Sequence, residues 1–213
     1  MKKPRKIVVE AIIPAPVEVV WERTQTPDLH TLWDIRFTHI TYLDEQDACG
    51  FNLMDYRTDV VFGIEVAGIG RYLQNAPPHH STFEFESADW KSIITLGRGI
   101  WQYEPCIEGT YFKTVYDYGV RYGVLGRLLD ALVFRNLLRL STEWGFETLR
   151  QWCAADESVV AKRRSRWRFM KFFLARLLGR KPAKGAARSW LGSGQETELR
   201  DKNSSEYVHG SKH

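Results

Sequence analysis

Asn136, Glu143 and Glu147 stand among leucines and aromatics in a stretch that reads as one long helix. At about 100° per residue they fall within an arc of roughly 40° that also holds Leu129 and Leu140. Carboxylates beside an apolar surface have two readings. In one, a carboxylate sits at a pocket, where burial would raise its pKa and let it exchange protons near neutrality; Glu143 is the first candidate for such an acid or base. In the other, the row is solvated and paired with Arg139 and Arg150, because charged side chains are seldom buried alone. Other chemistries find less support. "LGSGQ" departs from the G-x-S-x-G nucleophile pattern. "GIGRYLQ" and "GRGIWQ" lack the glycine spacing and Lys-Ser/Thr of a phosphate loop, so their glycines are expected to relieve crowding in strands. His79 and His80 are adjacent in a Pro-rich turn, and His30 and His39 lack helical i,i+4 spacing, so neither a metal site nor a cofactor is expected.

The elements that would position these groups come from periodicity. "KIVVEAII" (6–13) reads as a strand. Pro16 then opens a first short helix, and Thr26 (N-cap) with Pro27 (N1) opens a second over 26–34. About six antiparallel strands follow between 37 and 120. In the last, Phe112, Thr114, Tyr116 and Tyr118 share one face, the expected inner one, and Tyr111, Lys113, Val115 and Asp117 share the other. From about Leu125 to Trp152 the period is helical. Leu125, Leu128, Leu129 and Leu132 point one way, and Leu138, Phe146, Leu149 and Trp152 point roughly 100° away. A kink or a break near Arg135–Asn136 would reconcile them. The predicted class is α+β, a helix laid on a curved antiparallel sheet.

The 213 residues suffice for one sizeable domain and carry a net charge of +4. That charge is uneven, since 162–188 contains Lys and Arg but no acid. Isolated Cys49, Cys106 and Cys153 suggest a reducing compartment. The apolar run near the N-terminus is short and holds Glu10, and no stretch approaches a spanning helix, so a cytoplasmic protein is expected. Residues 1–154 are expected to form the domain, 155–181 a basic amphipathic segment, and 182–213 a disordered tail. In the segment, Trp167, Met170, Phe173, Leu174 and Leu177 share a face, with Arg164, Arg168 and Lys171 largely opposite. Such a helix suits an anionic membrane surface, with packing on its own domain as the alternative. Nucleic acid is disfavoured, because the apolar face needs burial and the rest of the chain is not basic.

"IPAPVEVVWERTQTPDLHTLWD", "GRGIWQYEPCIEGTYFKTVYDY" and "GVLGRLLDALVFRNLLRLSTEWGFETLR" occur in an order and spacing that resembles the START-like, SRPBCC superfamily, and within it the polyketide cyclase/dehydrase-type proteins. The resemblance covers roughly 5–153. It implies a helix-grip fold, in which the sheet curls around the C-terminal helix and leaves a cavity for lipids, polyketides or other apolar ligands. In such a fold Trp101, Tyr103, Phe112, Thr114 and Tyr116 would line the cavity with Leu132, Asn136 and Leu140, and Trp33 would stand at its mouth. The leading expectation is binding of a hydrophobic small molecule or lipid. The alternatives are a cyclase or dehydratase using cavity Tyr and Glu groups, and a peripheral membrane adaptor whose core is filled. Oligomeric state is left open.

Overall fold

A computed structural model describes residues 6–61 and 63–179. Seven antiparallel strands form one sheet in the order β1-β7-β6-β5-β4-β3-β2. The strands are β1 (Ile7–Ile13), β2 (Phe37–Gln46), β3 (Asn52–Val61), β4 (Ile64–Ala76), β5 (His80–Glu86), β6 (Ile94–Cys106) and β7 (Gly109–Val120). Two short helices, α1 (Val17–Gln25) and α2 (Pro27–Trp33), connect β1 to β2. After β7 come α3 (Gly123–Leu129), a π-helical turn (Asp130–Phe134), α4 (Arg135–Ala154), α5 (Ser158–Arg163) and α6 (Arg166–Leu177). This is the helix-grip arrangement. Thr26 and Pro27 do begin α2, although the Thr26 side chain makes no capping bond.

The alternation in β7 puts Phe112, Thr114, Tyr116 and Tyr118 inside. They meet Ile7, Val9 and Ala11 of β1 across the ladder and the face of α4 that carries Phe146, Leu149 and Trp152. Phe112 is stacked between Tyr103 and Phe146, with ring centroids 4.7 and 4.4 Å away.

The inner face of the sheet alternates large side chains with glycine across the strands. One row runs Met54, Gly70, Phe85, Gly97, Tyr118. A neighbouring row runs Phe83, Gly99, Tyr116, Ile7. The phenylalanines lie over the glycines: a Cβ on Gly97 would fall 2.2 Å from the Phe85 ring, and one on Gly99 2.2 Å from Phe83. Removing side chains from alternate positions lets the inner face contract, which is how a sheet of large aromatics can curl.

The π-helical turn accounts for the two apolar directions read from the sequence. It fits one extra residue into the helix, which shifts everything after it by about 100°. The leucines before the turn are not core residues, however. Leu125, Leu128, Leu129 and Leu132 are all at least half exposed.

The boundary expected at 154/155 does not separate two bodies. The described residues belong to one compact unit, and α6 packs on α4. Phe169 and Phe173 are buried against Leu137 and Leu140, and Trp144 donates its indole N–H to the Arg163 carbonyl. Phe173, expected at a membrane, is thus a core residue, and Met170 is partly buried beside it. Helix α6 turns Trp167, Arg168, Lys171, Leu174 and Leu177 outward, and Arg164 before it and Leu178 after it are exposed as well. The tail expected at 182–213 lies outside the described residues. Because Phe173 fills space between α6 and α4, Phe173→Ala should lower the unfolding free energy by about 3–5 kcal/mol, measured by urea denaturation. A change below about 1 kcal/mol would show that α6 is only loosely attached.

Candidate functional site

The junction of α2 and β2 reads Trp33-Asp34-Ile35-Arg36-Phe37. Asp34 is completely buried and Arg36 nearly so. Arg36 Nη2 donates to Asp34 Oδ2 at 2.6 Å and its Nε to Asp34 Oδ1 at 2.9 Å, a forked pair. His30 Nε2 lies 3.2 Å from Asp34 Oδ2; a carboxylate only accepts, so the imidazole donates. The guanidinium reaches two further elements, donating through Nη1 to Thr142 of α4 (2.9 Å) and through Nη2 to the Tyr116 hydroxyl of β7 (3.1 Å). Burial would by itself push the Asp34 carboxyl up and the Arg36 guanidinium down. Their mutual attraction and hydrogen bonds outweigh it, so the carboxyl sits well below the usual carboxylate range and the guanidinium above its own.

This cluster is the polar end of a cavity of about 380 Å³. Arg36, His30, Tyr116 and Trp101 line it at that end. The remaining wall is mostly apolar, including Phe37, Met54, Tyr56, Phe83 and Phe85 from the sheet and Phe134, Leu137, Leu138, Met170 and Phe173 from the helices. Tyr42, Ile64, Leu129 and Val133 belong to the wall yet are 43–50% exposed, which places the opening between the β2–β4 side of the sheet and the π-helical turn.

The Tyr116 hydroxyl oxygen accepts from Arg36 and, at 3.4 Å, from the Trp101 indole N–H. With both lone pairs occupied, its own proton is left to donate. Arg36 uses four of its five N–H groups on Asp34, Thr142 and Tyr116. What the cluster leaves for the cavity is chiefly the Tyr116 hydroxyl proton, held beside a guanidinium whose charge Asp34 already neutralises.

Of the residues the sequence singled out for this pocket, the structure brings Trp101 and Tyr116 to the wall. It places the others elsewhere. Trp33 is core, stacked on His30 and donating to the Arg23 carbonyl at 2.9 Å. Tyr103 turns its hydroxyl to Thr24 and Gln25, and Phe112 is enclosed between rings. Thr114 is buried in the same layer, its hydroxyl without a partner among the described residues. Leu140 is covered by α6, Asn136 is partly buried but off the wall, and Leu132 is 64% exposed on the far side of its helix. Glu143 is not at the cavity. It pairs with Arg139 and, at 3.6 Å, with Arg176 of α6. Glu147 is bound by Arg150 and Gln151; burial would raise its pKa, but those hydrogen bonds win and lower it, the reverse of a proton-exchanging acid. Arg36 is the group sequence reasoning missed. The signal was Asp-x-Arg around an apolar residue at a helix-to-strand junction, a spacing that puts both charges on one side.

No known family model matches the chain. It is 39% identical over 153 residues to a Bacillus subtilis (strain 168) protein named "uncharacterized membrane protein YndG", covering 70% of this chain and 57% of that protein. The chain thus spans little more than half of that relative. Among solved structures, the protein TTHA0849 of Thermus thermophilus superposes with a TM-score of 0.54 at 20% identity, covering 76% of this chain and 100% of that one. The di-domain ARO/CYC proteins StfQ, of the steffimycin biosynthetic pathway, and BexL, of the BE-7585A pathway, give TM-scores of 0.56 and 0.54 at 13% and 15% identity. They cover 70% and 71% of this chain and half of each di-domain chain. At these identities the likeness establishes the fold alone, a helix grip.

Asp34→Asn would leave Arg36 buried without its counter-charge and should cost about 3–5 kcal/mol of stability. The pair also sets a pH dependence. Asp34 stays ionised in the folded state where the unfolded chain takes up a proton, so its stabilisation is complete above about pH 5 and declines as pH falls below about 4. Urea unfolding at a series of pH values should show that acid-side decline in the wild type and a shallower one in Asp34→Asn.

Proposed function

We propose that the protein binds an apolar small molecule or lipid whose polar end is a neutral hydrogen-bond acceptor, such as a ketone or ester oxygen. The observation that carries this reading is the Tyr116 hydroxyl, left to donate beside a neutralised guanidinium at the wall of a mostly apolar cavity. A carboxylate or phosphate would seek a net positive site, and here Asp34 has neutralised Arg36. A neutral carbonyl would instead accept from Tyr116 without disturbing the ion pair. The volume suits a ligand of modest size.

A second reading is chemistry of the cyclase/dehydratase kind, supported by the same Tyr116 proton. Donated to a carbonyl oxygen beside the guanidinium, it would stabilise negative charge as that oxygen becomes enolate-like. Glu143 has no part in this reading, and the site residues become Tyr116 and Arg36, with Trp101 and Thr142 positioning them. The ARO/CYC names among the structural neighbours agree with it, as does the resemblance of the chain to polyketide cyclase/dehydrase-type proteins. For the basic segment the proposed partner is an anionic membrane met from the cytoplasm. The outward residues of α6 and the name of the Bacillus subtilis relative support it.

Displacement of the neutral fluorophore N-phenyl-1-naphthylamine tests the cavity. A medium-chain 2-alkanone should compete better than the fatty acid of equal length. Tyr116→Phe, which removes the donated proton, should weaken the ketone by about tenfold, the value of one hydrogen bond, and leave the fluorophore nearly unaffected. A fatty acid that competes better than the ketone would overturn the neutral-acceptor reading.

A further inference from the structure

A second void lies beside the cavity. It measures about 220 Å³, and its apolar wall is Ile35, Trp167, Phe169 and Met170. Among the described residues, Met170 alone lines both this void and the cavity. The two walls also adjoin along the chain. Arg36, Thr58 and Ile64 line the cavity, and their neighbours Ile35, Asp59 and Gly63 line the second void. The second void therefore continues the cavity along α6 toward the β3–β4 turn, and the Met170 side chain stands between the two.

What can enter the second void follows from its polar groups. Arg166 pairs with Asp59, so the two charges there offset one another. Ser141 donates its hydroxyl proton to the Leu138 carbonyl at 3.0 Å. The space therefore favours an alkyl chain over a charged group, which would lose its hydration without gaining a counter-charge. The partition can move while its frame stays fixed. Phe169 and Phe173 flank Met170 on α6 and are buried against Leu137 and Leu140, which holds the helix in place. Met170 itself is only partly buried. A methionine side chain is unbranched and has three rotatable bonds, so it can swing aside without any shift of backbone.

We infer that the two voids are one binding site divided by the Met170 side chain, and that the second void receives the far end of an alkyl chain. A ligand held by its carbonyl oxygen at Tyr116 runs its chain along the apolar wall of the cavity. A short chain ends there. A longer one turns Met170 aside and ends between Ile35 and Phe169, so Met170 sets how readily the protein accepts chains of different length. This inference rests on the ligand-binding reading above and adds to it the course of the chain.

Displacement of N-phenyl-1-naphthylamine from the whole chain by 2-nonanone and by 2-pentadecanone gives a long-to-short affinity ratio that tests the division. Each methylene moved from water into an apolar site is worth about fourfold in affinity. Met170→Ala joins the voids and should raise the ratio about tenfold, the effect of roughly two more methylenes buried. Ile35→Phe fills the second void from a residue outside the cavity wall and should lower the ratio by about as much. Because each variant is read as a ratio, a general loss of affinity cancels. A ratio within about twofold of wild type in either variant, with fluorophore binding retained, would overturn the inference and leave the cavity reading standing. If Ile35→Phe does not fold, Met170→Ala decides alone. A wild-type chain that binds neither the fluorophore nor either ketone would sink the cavity reading, and the inference with it.

Discussion

The Asp34–Arg36 pair closes the fold. Arg36 immediately precedes β2, one edge of the sheet, yet it donates to Tyr116 on β7, and four strands lie between β2 and β7 in the sheet order. A flat sheet could not bring them together. The same guanidinium donates to Thr142 on α4. One side chain thus links the far edge of the sheet, the strand beside the other edge and the gripped helix. A buried ion pair is a poor source of net stability, since removing both charges from water costs about what their attraction returns. Its worth here is positional: four directional N–H donors from one planar group set the distance between three elements.

Curvature gives that linkage room and divides the interior in two. Toward α1 and β1 the space is filled, with Trp33, Tyr103, Phe112, Phe146 and Leu149 almost wholly inaccessible. Toward β2–β5 the inner face carries Phe83 and Phe85 over glycines, and the helix opposite has been displaced by its π-helical turn. The cavity lies where those two features face each other. A continuous α-helix would put residues after Phe134 about 100° out of phase with the sheet. The turn lets Leu137 and Leu138 face inward while Leu125, Leu128 and Leu132 stay outside.

How much of this the sequence showed depends on whether a property is local. Strict alternation identified the inner face of β7, because period two has one solution once a side is buried. The two directions of the helical leucines were visible as well, but periodicity reports which residues share a face and not whether that face is covered. Leu132 was therefore assigned to a pocket it faces away from. Glu143 and Glu147 were correctly seen as polar groups at an apolar boundary; what occupies them is Arg176, Arg139 and Arg150, and Arg176 lies 33 positions beyond Glu143 on a helix expected to be separate. Arg36 was the least legible. A charged residue is read as exposed unless its partners are known, and two of its partners lie 80 and 106 residues away.

Helix α6 shows how such non-local contacts change the meaning of a composition. As a segment it is basic and amphipathic, which suits either a bilayer or a protein core. Its two apolar sides resolve the ambiguity differently. Phe169 and Phe173 fill the space beside Leu137 and Leu140, so the helix completes the wall of the cavity. Trp167, Leu174 and Leu178 remain outside among cations. A helix committed to its own domain on one side still presents a cationic surface on the other, and Phe173 fixes how that surface is held. Cavity wall and outer surface are then two sides of the same helices, α6 and the stretch before the π-helical turn. The two sides are carried by adjacent side chains, Leu129 on the cavity wall and Leu128 outside.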